Sequence, residues 1–146
     1  MTLLERLAEA KRTNNLGAMI GAIPYASLLG LEAAVAESGE LITTMRFSHH
    51  LIGNAQLPAI HGGSIGALLE SAAVFELLWR AETIVLPKTI TLTVDYLRSA
   101  GPYDVHAISV ISRRGRRIAN VRIEAWQPDR AQPIAIAHAI FLVMRD

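Results

Sequence analysis

Residues 61–79 read HGGSIGALLESAAVFELLW, and the fold depends on this stretch. The run is long and apolar, which predicts a buried helix from about Gly62 to Ala81. Gly62 and Gly63 are poor residues for a helix interior, but they are accepted at a helix start. No other stretch of the sequence predicts a helix of this length.

Glu70 stands out on this helix because no basic residue lies one turn away from it. Its neighbours at helical spacing are small or apolar: Gly66, Ala67, Ala73 and Val74. A carboxylate without a cation in an apolar setting is typical of a general base or a nucleophile. The residues alone give equal weight to a structural carboxylate that caps a helix, forms a salt bridge or lies at an edge.

Glu76 is the second carboxylate of the predicted helix, and its surroundings differ. Arg80 follows four residues later, so we expect an ordinary exposed ion pair worth a few tenths of a kcal/mol. Phe75 and Trp79 also lie at helical spacing, and a place in the core is expected for both. Glu70 and Glu76 are therefore predicted to have different roles.

The start of the predicted helix is suited to bind negative charge. The first amides of a helix have no acceptor within the helix, and the helix dipole makes that end positive. Gly62 and Gly63 leave these amides uncovered by side chains, so the amides are candidates for an oxyanion hole. Loss of one such donor typically raises the activation free energy by about 3 kcal/mol. The alternative is that both glycines only allow close packing.

Gly62 and Glu70 are too far apart to act together within one helix. Eight residues correspond to about 12 Å of helical rise and leave the two positions roughly 80° apart around the axis. A twofold dimer, in which Glu70 of one subunit faces the glycine amides of the other, removes this difficulty. The spacing therefore predicts an obligate dimer with two equivalent sites at its interface.

Shorter elements flank the long helix. The spacing of Leu3, Leu4, Leu7 and Ala10 predicts an opening helix, and residues 17–26 are expected to form an irregular connection. A hairpin is predicted over residues 28–35 and 40–47, followed by a loop over residues 48–59. Further strands are expected at residues 89–96, 103–112, 116–127 and 133–144.

One long apolar helix between strands that are mostly joined by hairpins favours an antiparallel sheet curled around that helix. The predicted class is therefore α+β, and the length predicts one domain over residues 1–146. Within the strand at 89–96, apolar residues alternate with Thr89, Thr91, Thr93 and Asp95, so those four are expected on the face opposite the apolar one.

Composition argues against several classes of protein. A net charge of +1 gives no overall field toward nucleic acid, and glutamates interrupt the apolar helix, so neither nucleic acid nor membrane is an expected partner. The chain has no cysteine and its N-terminus lacks the features of a secretory signal, which favours the cytoplasm. The histidines are poorly placed to share a metal ion: His49, His50, His106 and His138.

HGGSIGALLE resembles the helix-start motif of hotdog-fold acyl-CoA thioesterases, in the branch similar to phenylacetyl-CoA thioesterases of the PaaI type. In that motif HGG is followed by an acidic residue nine positions after the histidine. TITLTVDYLRSA, residues 89–100, resembles the strand that follows in the same family. The resemblance implies a hotdog fold, hydrolysis of acyl-CoA thioesters at a dimer interface, and a dimer or a dimer of dimers.

The resemblance also implies roles for individual residues. Glu70 matches the catalytic acid, and Gly62 matches the amide that binds the thioester carbonyl. Thr89 matches a residue that positions water, and His61 matches the motif histidine with an orienting role. Two further residues compete for the family's polar position before the histidine, namely Asn54 and Gln56. No cofactor is expected, because coenzyme A is part of the substrate.

Arginines are the candidates for binding the phosphates of coenzyme A, because the guanidinium fork matches phosphate geometry. Arg98 follows the strand at 89–96, and Arg113 and Arg116 belong to the RRGRR turn. A solvated hairpin tip is the more common role of such a cluster.

Two alternative functions are compatible with the same fold. A non-catalytic acyl-CoA-binding protein would be expected to lack the acidic residue, and Glu70 argues against it. A dehydratase acting on 3-hydroxyacyl thioesters would need a histidine that removes a proton, and His61 keeps that alternative open.

Overall fold

The computed structural model describes residues 1–82 and 84–144. Three helices come first: α1 (Leu3–Arg12), α2 (Leu16–Gly21) and α3 (Pro24–Leu28). Two strands and a short two-stranded ribbon follow: β1 (Leu31–Val35), β2 (Leu41–Met45), β3 (Ile52–Asn54) and β4 (Ala59–Ile60). The long helix and four strands complete the order: α4 (Gly62–Arg80), β5 (Lys88–Tyr96), β6 (Val105–Arg114), β7 (Ile118–Trp126) and β8 (Ala135–Leu142).

Helix α4 lies against a six-stranded antiparallel sheet of order β1-β2-β6-β7-β8-β5. It packs on strands from both halves of that sheet, so the predicted α+β wrap around one long helix is confirmed. The helix residues with 1% exposure or less are Leu68, Leu69, Ala73, Phe75, Leu77 and Leu78. Each large apolar side chain buried in this way contributes about 1.5–3 kcal/mol.

Residues 17–26 were predicted to form an irregular connection, and this prediction was wrong. Residues 16–28 form α2 and α3, and Leu28, assigned to a strand, ends α3. The Asn15 side chain caps α2 by accepting a hydrogen bond from the Ala18 amide at 2.9 Å, and Pro24 occupies the first position of α3. Both features are local signals of a helix start.

The predicted loop at residues 48–59 contains regular structure as well. A 3-10 turn at His49–Leu51 leads into β3, which pairs antiparallel with β4. This ribbon leads directly into α4. The His61 amide donates to the Leu51 carbonyl at 2.8 Å, which ties the start of α4 to the ribbon.

Strand β5 forms where it was predicted, but its side chains do not alternate strictly. The pairing with β8 shifts by one residue between Thr89 and Thr91. Thr89 is opposite the buried Phe141, whereas Thr93 is opposite the exposed His138. Directly opposed residues share a face of the sheet, so Thr89 lies on the face toward α4 and not on the outer face as predicted.

Glu76 is buried, in contrast to the exposed ion pair predicted from the sequence. The residue is 8% exposed, and one carboxylate oxygen accepts from Arg80 Nε at 2.8 Å. Arg80 also donates to the Gly39 carbonyl at 2.7 Å, which brings the turn between β1 and β2 over this part of α4. The predicted pairing is therefore confirmed, while the predicted exposure is wrong.

Within the described residues, no helix is both long and apolar enough to cross a membrane.

Candidate active site

The motif histidine forms the N-cap of α4. Its Nδ1 accepts a hydrogen bond from the Gly63 amide at 2.9 Å, so the proton of the neutral imidazole is on Nε2. A β-carbon at Gly63 would stand 2.9 Å from this Nδ1, so the second glycine of the motif makes room for the histidine ring. His61 therefore caps α4 and fixes the Gly63 amide, and the orienting role in the reaction that the resemblance implies stays a prediction.

The cap leaves a single unoccupied amide in the HGG motif. The Gly63 amide is bonded to His61, which corrects the expectation that both glycine amides are available for an oxyanion. For the Gly62 amide, no residue in the described part of the chain is an acceptor. The first amides of a helix have no acceptor within the helix, and here the dipole of a 19-residue helix adds to the positive potential.

Tyr96 is a site residue that sequence reasoning missed. Its hydroxyl donates to the Gly62 carbonyl at 2.7 Å. Its ring covers the first turn of α4, since a β-carbon would stand 3.2 Å from the ring at Gly62 and 3.4 Å from the hydroxyl at Gly66. The i,i+4 spacing of these two glycines marks a bare stripe on the helix and was the available signal.

An open cavity of about 380 Å³ lies beside the Gly62 amide. Its lining consists of Ala59, Ile60, Gly62, Ile65, Tyr96, Leu97, Arg98, Ser99 and Ala100. Arg98 lines the cavity, and its guanidinium is anchored by donating to the Pro133 carbonyl at 2.8 Å. The structure therefore brings the helix N-terminus and one of the predicted phosphate-binding arginines into the same cavity.

Glu70 lies on α4 two turns beyond this cavity and is half-buried. Among the described residues, none forms a hydrogen bond or an ion pair with its carboxylate. The helical rise separates it from Gly62 by about 12 Å, and it does not line the cavity beside Gly62. One chain does not bring the two proposed catalytic groups together.

Three other candidates lie at the opposite end of the sheet. Thr89 is seven residues before Tyr96 on β5, a separation of about 23 Å along the strand. Arg113 lies near the end of β6 and Arg116 in the exposed turn that follows, remote from the end where Tyr96 is opposite Ala135. These residues do not reach Gly62 within one protomer.

Asn54 is occupied in its own turn. Its Oδ1 accepts from the amides of Gln56 at 3.0 Å and Leu57 at 3.3 Å. The Gln56 side chain is exposed in the same turn. The structure gives Asn54 a local role in ending β3.

The carboxylates with a clearly lowered pKa do not line this cavity, namely Glu9, Glu40 and Asp104. Asp104 accepts a hydrogen bond from the Phe47 amide at 2.7 Å, and this bond, together with Arg46 at 3.0 Å, lowers the pKa of Asp104. It ties the end of β2 to the start of β6. Over residues 1–82 and 84–144, no three His, Asp or Glu side chains come together as a metal site.

Comparison with known proteins identifies the family. The model of the acyl-CoA thioesterase N-terminal domain matches residues 51–142, which include the HGG motif, α4 and β5–β8. The chain belongs to this acyl-CoA thioesterase family. It is 31% identical over 134 residues to the medium/long-chain acyl-CoA thioesterase YigI of Salmonella typhimurium, covering 83% of this chain and 86% of the relative.

Solved structures share the fold of this thioesterase over most or nearly all of its length. A Chromobacterium violaceum protein is 38% identical with a TM-score of 0.79, covering 97% of this chain and 98% of the other. A Bacillus halodurans protein crystallised with CoA is 19% identical with a TM-score of 0.78, covering 99% and 92%. A PaaI mutant from Thermus thermophilus is 22% identical with a TM-score of 0.67, covering 84% and 100%. The thioesterase therefore has the hotdog fold that the motif implied.

Proposed function

We propose that this thioesterase hydrolyses acyl-CoA to a free acid and CoA, with the Gly62 amide as the oxyanion donor and Glu70 as the base or nucleophile. The observation that carries the proposal is the state of the HGG motif. The Gly63 amide is used by the His61 cap, whereas the Gly62 amide is left without an acceptor at the positive end of α4.

The reaction needs a proton acceptor and a donor to the carbonyl oxygen. In the preferred mechanism, Glu70 accepts a proton from water while the water oxygen attacks the thioester carbon, and the Gly62 amide donates to the developing oxyanion. Collapse of the intermediate breaks the C–S bond, and the thiolate of CoA accepts the proton from Glu70. Alternatively, Glu70 attacks the carbonyl, CoA leaves, and water hydrolyses the resulting anhydride.

A twofold dimer is proposed to bring Glu70 of one subunit close to the Gly62 amide of the other. The sheet ends at β5, and on its outer edge no described strand pairs with it. Ile90 is 56% exposed and Tyr96 is 54% exposed on this strand. A long edge strand with exposed apolar residues favours pairing with another strand. Antiparallel pairing with its own copy would bring Thr89 of the partner subunit toward Tyr96 and Gly62.

Phosphate binding is assigned to arginines at the mouth of the cavity. Arg98 lines the cavity itself and keeps donors free beyond its bond to Pro133. In the proposed dimer, Arg113 at the end of β6 and Arg116 in the following turn lie toward the partner's cavity, because the strands of the two subunits run in opposite directions. No separate cofactor is needed, since CoA enters as part of the substrate.

A dehydratase is less compatible with the geometry of the motif histidine. Proton removal would require a free imidazole nitrogen lone pair, and Nδ1 of His61 already accepts from the Gly63 amide.

The oxyanion donor can be tested by removing the amide hydrogen itself. Gly62 is the first residue of α4. Proline is accepted at that position because the amide hydrogen that it lacks has no acceptor within the helix. His61 has φ −61° and ψ 128°, a conformation that the residue before proline adopts. Gly62→Ala is the matched control, because it adds the same β-carbon near Tyr96 but keeps the amide hydrogen.

Turnover of aryl, short-chain and long-chain acyl-CoA thioesters is measured by release of free thiol. We expect Gly62→Pro to lower kcat about 100-fold relative to Gly62→Ala, and Glu70→Gln to abolish turnover in a folded protein. Equal rates for the proline and alanine variants would refute the oxyanion assignment. Wild-type protein that binds acyl-CoA without turning it over would refute the hydrolase.

The shared site can be tested with mixed dimers. Gly62→Pro and Glu70→Gln proteins are each inactive as pure dimers in the proposed arrangement. In a mixed dimer one site carries both changes and the other carries neither, so random mixing should restore about a quarter of wild-type activity. If both groups acted within one chain, every site would keep a defect and mixing would restore nothing.

A further inference from the structure

The peptide group between Gly62 and Gly63 is held by hydrogen bonds at both of its ends. Its carbonyl accepts from the Tyr96 hydroxyl at 2.7 Å, and its N–H donates to His61 Nδ1 at 2.9 Å. We propose that Tyr96 is a positioning residue that orients the Gly62 amide through this peptide group. The inference rests on the proposed function, which makes the Gly62 amide the oxyanion donor.

The two hydrogen bonds fix the plane of one peptide group, and the neighbouring group carries the Gly62 N–H. Rotation of the Gly62–Gly63 peptide would break the bond to Tyr96 or the bond to His61. Glycine has more backbone freedom than any other residue, so two consecutive glycines need such external restraint to hold one donor in a fixed direction. Bonds in a chain also polarise one another, which strengthens both.

Packing on the helix supports the same role for Tyr96. A β-carbon at Gly62 would stand 3.2 Å from the tyrosine ring, and one at Gly66 would stand 3.4 Å from its hydroxyl. A glycine inside a helix costs about 0.5–1 kcal/mol relative to alanine. Gly66 is the fifth residue of α4, and without a side chain it leaves the space beside the Tyr96 hydroxyl open.

The hydroxyl of Tyr96 is poorly placed to add much stability. In a single subunit Tyr96 is 54% exposed, so water can replace its hydroxyl as the partner of the Gly62 carbonyl wherever the second subunit leaves this group open to solvent. The net contribution of such a bond to folding is about 0.5–1.5 kcal/mol, with the lower end expected at the surface. A water molecule, unlike the strand-held phenol, does not fix the direction of the peptide group.

Tyr96 also lies on the edge strand β5, whose pairing with a second subunit is part of the proposed function. The hydrogen bond therefore links the direction of the Gly62 amide to the strand at the proposed interface. The oxyanion donor is held by the sheet and by the motif histidine, and not by α4 alone.

Tyr96→Phe tests the positioning role, and Tyr25→Phe is the matched control. Tyr25 lies on α3 with 55% exposure, close to that of Tyr96, and away from the cavity beside Gly62. We expect Tyr96→Phe to lower kcat about tenfold with KM within twofold of wild type, and Tyr25→Phe to change neither. A kcat for Tyr96→Phe equal to that of the control, or a rise in KM with unchanged kcat, would overturn the inference.

A second readout is independent of turnover. In protein labelled with 15N-glycine, Tyr96→Phe should shift the amide signals of Gly62 and Gly63, while Gly21 and Gly39 stay unchanged as distant references. Unchanged Gly62 and Gly63 signals would overturn the inference.

The two readouts separate this inference from the proposed function. Wild-type protein without turnover refutes the proposed function, and the glycine spectrum then still decides whether Tyr96 orients the peptide group. Active wild type, inactive Gly62→Pro and fully active Tyr96→Phe would refute the positioning role alone.

Discussion

Gly53 lies so close to His61 that a β-carbon at residue 53 would stand 2.8 Å from both Cα and Cβ of the histidine. Gly53 lies on β3, and the His61 amide is bonded to the Leu51 carbonyl at the start of the same ribbon. Strand β3 therefore packs directly against His61, the residue that caps α4, and the contact is possible because Gly53 has no side chain.

Gly53→Ala is expected to displace His61, because the nearest atoms include backbone, which cannot rotate away. Overpacking of this kind typically costs about 1–3 kcal/mol. Activity should fall together with stability, measured by thiol release and by denaturant unfolding. Gly21→Ala is the control, since nothing lies within 4 Å of a β-carbon there. Wild-type stability and activity in Gly53→Ala would contradict the close contact.

The two glutamates of α4 should separate stability from activity. Glu76→Gln removes the charge of a buried carboxylate that is paired with Arg80, so we expect a loss of about 1–2 kcal/mol in unfolding free energy. Glu70→Gln should change that free energy by less than about 0.5 kcal/mol while abolishing turnover. Both variants are compared by denaturant unfolding at one protein concentration. A Glu70→Gln protein that loses stability but keeps turnover, together with a stable but inactive Glu76→Gln protein, would contradict the roles assigned to the two residues.

Arg98→Ala should weaken binding of the nucleotide part of the substrate. The side chain lines the cavity beside Gly62, and a charge-assisted bond to phosphate is worth about 1.5–3 kcal/mol. We expect KM for an acyl-CoA to rise about tenfold while KM for the matching acyl-pantetheine stays unchanged. Arg6→Ala, at an exposed position of α1, controls for the loss of one positive charge. An equal rise in KM for both thioesters would argue against phosphate binding by Arg98.

Asp104 should make the protein less stable in acid. The Phe47 amide and Arg46 hold the pKa of Asp104 below its ordinary value, so the carboxylate stabilises the folded state above the pKa it has in the unfolded chain. That stability is lost as the pH falls below about 4 through the folded-state pKa. Because the side chain is 35% exposed, we expect a contribution of only about 0.5–1 kcal/mol.

Asp104→Asn keeps an oxygen for the Phe47 amide but removes the charge. Unfolding measured from pH 7 down to pH 2 should therefore show a shallower decline in stability than in the wild type. Asp129→Asn, in an exposed turn, is expected to follow the wild-type curve. A wild-type slope in Asp104→Asn would contradict the assigned role of Asp104.

Local sequence patterns determined the architecture of this protein. The apolar run after HGG predicted α4 to within one residue of its end, and the hairpin signals predicted the strands that wrap around it. These features depend on residues within a few positions of one another, such as a cap, a turn glycine or an apolar period. Asn15 and Pro24 carried local helix signals of the same kind, although residues 17–26 were expected to be irregular.

Only the tertiary structure decided the details of the candidate site. Tyr96 reaches Gly62 from 34 residues away, the shift in β5 turns Thr89 toward α4, and Arg80, the partner of the buried Glu76, donates to the Gly39 carbonyl 41 residues away. Each of these depends on segments distant in the sequence, so no local pattern contains it. The sequence determined that the start of α4 bears an exposed amide, because Gly62 and Gly63 have no side chains and this is visible in the local sequence. Which amide remains free was decided by the folded chain, because hydrogen-bond partners are chosen by proximity in space.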